Sequence, residues 1–205
     1  MMRSEQQPYK MSFAVGGLAL TESIEVARLR LTAPNWDDTI VLAMADGVTS
    51  LPKAASRRRT LREIINRLSE LDLEELAFFV DEADRTEQQA LLWLASCRAY
   101  RFMREFAVEV LQERFLSYQL DLPLESFDIL LEAKAEWNEG LSNISRSTQL
   151  KLRQVMFRMM REASVISDDQ QIQRGYVTTR LKSMIIARNP AELAYFPGLA
   201  HEAAA

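Results

Sequence analysis

From residue 53 to residue 122 the chain contains neither glycine nor proline. Seventy consecutive residues without either breaker argue against a fold of short strands and tight turns, and predict helix interrupted only at acidic junctions. The most apolar part is residues 86–118, which hold one Trp, three Phe, two Tyr and the only cysteine. Leu92, Ala95, Ala99, Phe102, Phe106 and Val110 recur at spacings of three or four, a helical period and not a strand period. Apolar residues fall on more than one side, so other helices are expected to wrap this one. Thirty-three residues are long for one globular helix, and a break is predicted near residues 98–100.

The flanking chain fits the same class. Residues 1–11 are polar, carry Pro8 and read as a flexible tail. Gly16-Gly17 marks a turn or close approach before a helix over about 18–31, with Leu20, Ile24, Ala27 and Leu31 buried. Pro34 ends it and Asn35 caps a helix from Trp36 to about Ala45, followed by an Asp46-Gly47 turn. A helix over roughly 53–71 presents Ala54, Leu61, Ile64, Ile65 and Leu68 to the core, with Arg58, Arg59, Arg62 and Arg67 around the rest. Asp72 starts a helix through Phe78, Phe79 and Val80, and Pro123 closes the central stretch. Residues 124–137 form a helix burying Phe127, Leu130, Leu131 and Trp137, and residues 138–145 form a loop. The next helix is amphipathic, with Thr148, Leu152, Val155, Met156, Met159 and Ala163 on one face. Val165-Ile166 and Gln171-Ile172 bracket a short hairpin, and a helix over 178–187 and a turn over 190–195 end the ordered chain.

The fold class expected is therefore mainly α, a compact multi-helix bundle with helix-turn-helix or winged-helix-like units and at most one short β-hairpin. Residues 12–83 form an N-terminal helix-turn-helix-like part, and 84–200 a C-terminal helical part with a winged-helix-like segment at 124–173. Residues 201–205 form a disordered tail.

Charge adds a functional lead. The net charge is −4, against a polycation that coats nucleic acid indiscriminately. Yet the windows 53–67 and 146–161 each carry a net +5, which leaves −14 on the remainder. Cations concentrated on two helices, each preceded by a helix and turn, fit docking to phosphates through Arg57, Arg58, Arg59, Arg62, Ser147, Lys151, Gln154, Arg158 and Arg161. Lys151, Arg158 and Arg161 are the phosphate contacts in this scheme, and Gln154 is the reader of base edges. The same runs also fit solvated helix faces in a bundle, or basic helices that pair with an acidic protein.

The single histidine, His201, lies near the C-terminus, which argues against histidine-based proton transfer and histidine-ligated zinc. One cysteine excludes an internal disulfide or thiolate cluster, and Cys97 on the apolar helix reads as core. No enzyme activity, metal or cofactor is expected. No apolar run approaches the ~20 residues of a membrane span, so a cytoplasmic protein without membrane contact is expected.

Four strings carry a family resemblance: SFAVGGLALTESIEVARL, LLWLASCRAYRFMREFAVEVLQERF, KAEWNEGLSNISRSTQLKLRQVMFRMMREA and RNPAELAYFP. Over about residues 12–197 the chain resembles the BrxA family of BREX bacteriophage-defence systems. The resemblance implies a helical, non-enzymatic cytoplasmic protein working beside a DNA methyltransferase, an ATPase and a phosphatase-like protein. It further implies kinship with winged-helix DNA binders, and with a NusB-type RNA-binding fold. Double-stranded DNA is thus the first partner expected, with RNA or other defence components as alternatives.

Overall fold

The computed structural model describes residues 9–13, 16–49 and 51–200. Its helices are α1 (Leu20–Thr32), α2 (Trp36–Ala45), α3 (Ala54–Leu68), α4 (Leu73–Asp81), α5 (Arg85–Ala99), α6 (Arg101–Phe106), α7 (Glu113–Leu116), α8 (Glu125–Ala135), α9 (Glu139–Ser142), α10 (Arg146–Glu162) and α11 (Thr179–Arg188). A π-helical turn (Ala107–Gln112) joins α6 to α7, and a 3-10 turn (Pro190–Tyr195) follows α11. Among the described residues there is no β-strand, and no helix long and apolar enough to cross a membrane.

Local chemistry explains the boundaries. Reciprocal capping boxes, Asp72 with Glu75 and Asp84 with Glu87, start α4 and α5, so the acidic junctions do in the gap-free stretch what glycine does elsewhere. Asn35 caps α2 and Thr178 caps α11 through their side chains. The break expected near residues 98–100 falls at Tyr100, which is extended at φ −122° and ψ 106° between α5 and α6.

α5 is the axis of the molecule. Every residue from Leu91 to Cys97 is buried, so no face of that helix reaches water. One core cluster gathers side chains from Phe13 to Leu199 around it. Trp93 is sealed, and its Nε1–H donates to the carbonyl of Tyr195 at 2.9 Å, fastening the C-terminal 3-10 turn. One turn on, Arg98 donates to Glu75 and Glu192 at 2.8 Å each, and Arg188 donates to Glu75 at 2.7 Å. Burial alone would lower the Arg98 pKa, but the two carboxylates outweigh it and hold the guanidinium above its ordinary range. Burial drives the Cys97 thiol well above its usual range, as expected of a core residue.

Several expectations need correction. Trp137 is 87% exposed, because α8 ends at Ala135 and the last turn carries the indole past the core. Arg67 is 2% exposed: its guanidinium donates to the carbonyls of Gly17 and Leu18, which the arginine periodicity could not reveal. Ala54 and Leu31 are exposed and Leu20 and Ile24 half-buried; α1 buries Ala27 as expected, together with Ser23 and Val26. Thr148 is exposed, and the expected loop at 138–145 contains the one-turn helix α9. The hairpin is reduced to an isolated bridge between Ile166 and Ile172, beside a second between Asp121 and Gln171. Of the expected tail, residues 1–8 and 201–205 lie outside the described residues, whereas Tyr9 is anchored by donating to Glu105 at 2.5 Å.

Candidate nucleic-acid interface

Helical geometry decides which cations of α3 share a side. Arg58, Arg62 and Asn66 are spaced by four and form one stripe, with Arg59 beside it. Arg57 belongs to the stripe of Leu61, Ile64 and Leu68. It is half-buried, and its Nε is enclosed without a hydrogen-bond partner. The arginine run is therefore split by the helix itself.

Arg58, Arg59 and Arg62 form one wall of a cleft of about 680 Å³. Thr148, in the first turn of α10, also lines it, with Lys10, Met11 and Ser12 from the N-terminal segment and Ala55, Glu63 and Asn66 from α3. Lys10 is held there by donating to Asn66 Oδ1, and Asn66 in turn donates to the Tyr100 hydroxyl at 3.0 Å. Phe13, 1% exposed and edge-on to Tyr100 at 5.2 Å, anchors the same segment from below. Arg58, Arg59 and Arg62 form no ion pair or hydrogen bond among the described residues, and all three are exposed. Glu63 on the same wall is 7% exposed with an unpartnered Oε1; burial pushes its carboxyl pKa up, against the weaker pull of Arg67.

At its far end α10 meets the same N-terminal segment. Glu162 accepts from the Leu18 N–H at 2.5 Å, and a Cβ on Gly17 would collide with that carboxylate. The expected close approach at Gly16-Gly17 thus has a definite cause. α3 contributes Arg67 to the same two residues, so α3 and α10 both hold Gly17 and Leu18.

Thr148, Val155 and Glu162, seven apart, mark the side of α10 turned to this segment. Lys151 and Arg158 lie next to that stripe, and Ser147, Gln154 and Arg161 lie one step further round. Ser147, Lys151, Gln154 and Arg158 are exposed, and Arg161 is half-buried. Arg158 is paired with Glu162 at 2.7 Å, whereas Lys151 and Gln154 make no such bond. Arg146 and Arg153 point to the opposite side, where Asp128 of α8 takes them at 3.8 and 2.5 Å. The structure therefore brings Arg58, Arg59 and Arg62 into one cleft, and Lys151 follows Thr148 by three residues on α10 without lining it. It separates Arg57 and neutralises part of the α10 run.

Sequence reasoning missed three contributors. Asn66 was legible, since it continues the Arg58–Arg62 spacing. Lys10 and Thr148 were not, because only the docking of residues 9–13 brings them to α3. Among the described residues no group of three or more His, Cys, Asp or Glu is arranged to hold a metal ion.

The architecture defines a class: an all-helical protein with a cation-walled cleft between two helices. The sequence model of the BrxA family matches residues 7–189, and the chain belongs to that family, which carries a BREX-associated defence role. No curated protein sequence matches it. Among solved structures it is similar to the crystal structure of an uncharacterized protein from Magnetospirillum magneticum, at 20% identity and a TM-score of 0.76. That match covers 93% of this chain and 98% of the other, and it shows a shared fold.

Proposed function

We propose that this protein is a non-enzymatic component of a BREX defence system that binds double-stranded DNA through the cleft between α3 and α10. The observation that carries the reading is the set Arg58, Arg59 and Arg62, three exposed guanidinium groups without an ion pair, facing Lys10 and the first turn of α10. In a protein of net charge −4, unneutralised arginines on one wall supply the local attraction that a phosphate backbone needs. Lys151 extends the phosphate contact along α10, whereas Arg158 is held by Glu162. Ser147 and Gln154, further round the same helix, reach base edges, where Gln matches the donor and acceptor pair of adenine. On this reading the isolated bridge between Ile166 and Ile172, beyond the C-terminal end of α10, takes the place of a wing.

Fluorescence anisotropy with a labelled duplex tests this, using wild type and the Lys151→Ala/Gln154→Ala variant, with unlabelled structured RNA as competitor. Duplex binding that weakens in the variant, and that RNA displaces less well than DNA, is the expected result. Absence of duplex binding by the wild type overturns the proposal. Preferential displacement by RNA transfers the cleft to an RNA ligand.

A further inference from the structure

The outer face of α8 is the opposite of the cleft in both charge and polarity. Ile129 and Ala133 are exposed and spaced by four, and Trp137 continues the spacing just past the helix end. Ile129 is 67% and Trp137 87% exposed; the helical period sets Ile129 opposite Phe127, whereas the exposure of Trp137 is the surprise. Glu125, Glu132 and Glu136 interleave with this stripe, all exposed and none in an ion pair among the described residues. A groove of about 440 Å³ runs alongside between α8, α9 and α10, with Glu132 and Glu136 on its α8 wall.

We infer that this face is a docking surface for a protein segment that carries lysine or arginine beside apolar side chains. An exposed Trp in line with an exposed Ile about two turns earlier is the kind of apolar stripe from which interface anchors are drawn. Three unpaired carboxylates along the helix beside this stripe, Glu136 and Glu132 nearest the Trp, select the charge of the occupant. They repel a phosphate backbone or an anionic lipid surface, and they pair with cations at the rim. The groove receives a long basic side chain whose stem packs on the helix and whose head meets Glu132 and Glu136. Placement makes the two surfaces independent. α8 is held to α10 through Asp128 and Arg153, on the side of α10 opposite the stripe of Thr148 and Glu162, so a partner on α8 leaves the cleft open. The inference does not depend on what fills the cleft.

The test is selection of a displayed random peptide library on the purified full chain without nucleic acid, followed by titration of the best synthetic peptide. Selected peptides are expected to carry Lys or Arg flanking apolar residues. Their affinity falls about tenfold or more on Trp137→Ala, a truncation at the centre of the patch. It falls further with salt, and that salt dependence weakens in Glu132→Gln/Glu136→Gln. Both substitutions are at exposed positions, so the variants fold. Acidic or purely apolar peptides, no peptide sensitive to Trp137, or a dimer in sedimentation velocity that Trp137→Ala abolishes would each overturn the assignment. The dimer result would give the face to a second copy of the chain.

Discussion

Replacing Arg58, Arg59 and Arg62 together by alanine separates the cleft from every other basic part of the protein. The cations without an ion pair that line the cleft are Lys10, Arg58, Arg59 and Arg62, and the proposed α10 contact adds Lys151. If each neutralises one phosphate, the slope of log K against log salt is about −4.5 for wild type, and about −1.8 once the three arginines are gone. Between roughly 50 and 200 mM salt, wild-type affinity for duplex then falls ~500-fold, and that of the variant only ~12-fold. Anisotropy titrations at four or five salt concentrations measure the slope directly. A paired control sharpens the test: Arg153→Gln removes one charge from the same basic run, but that charge is held at 2.5 Å by Asp128 on the far side of α10. Its slope is expected to match wild type. A slope that the triple substitution leaves in place, or that Arg153→Gln reduces equally, refutes the cleft as the phosphate site.

Two further outcomes follow from the buried charges. Arg98→Leu strands Glu192 and leaves Glu75 with Arg188 alone, a loss of about 3–5 kcal/mol for a broken buried pair. For a chain of this size that is a fall in Tm of about 6–20 °C, read by circular dichroism, and Glu192→Gln in the same chain restores part of it; a change within ~2 °C contradicts the network. Glu63→Gln acts with the reverse sign. A carboxyl raised by burial stabilises the fold fully only below its unfolded pKa of about 4.3, and that contribution is lost as pH rises through the higher folded value. The Gln variant is therefore expected to be the more stable at pH 7 and to converge with wild type near pH 4 in denaturant melts. A variant less stable at pH 7 shows that the attraction of Arg67 outweighs burial.

Periodicity made the helices legible, and some are also bounded by a local signal: Asn35, Asp72 and Asp84 cap α2, α4 and α5 through their own side chains, wherever the helices later pack. Burial was legible where a stripe is wide, as on α5, and illegible at a helix end. Trp137 is two residues past the end of α8 and faces water. The buried Arg67 was unreadable because its partners are main-chain carbonyls 50 and 49 residues away, which leave no mark in composition.

Charge runs are a harder case, since a run reports how many cations a helix carries and not how many it leaves unpaired. On α10 the five cations of residues 146–161 divide by side: Asp128 takes Arg146 and Arg153, Glu162 takes Arg158, and Lys151, exposed, and Arg161, half-buried, form no ion pair among the described residues. On α3 the run divides by depth, with Arg67 sealed and Arg57 half-enclosed, while Arg58, Arg59 and Arg62 stay in solvent. What attracts a polyanion is the remainder, set by a few acidic residues on neighbouring elements. The same division gives α10 two electrically different sides. One faces a cleft with excess cations, and the other is closed by α8, whose outer surface carries unpaired carboxylates. A nucleic acid and a basic protein segment would thus meet the molecule on separate surfaces, each repelling the other's ligand.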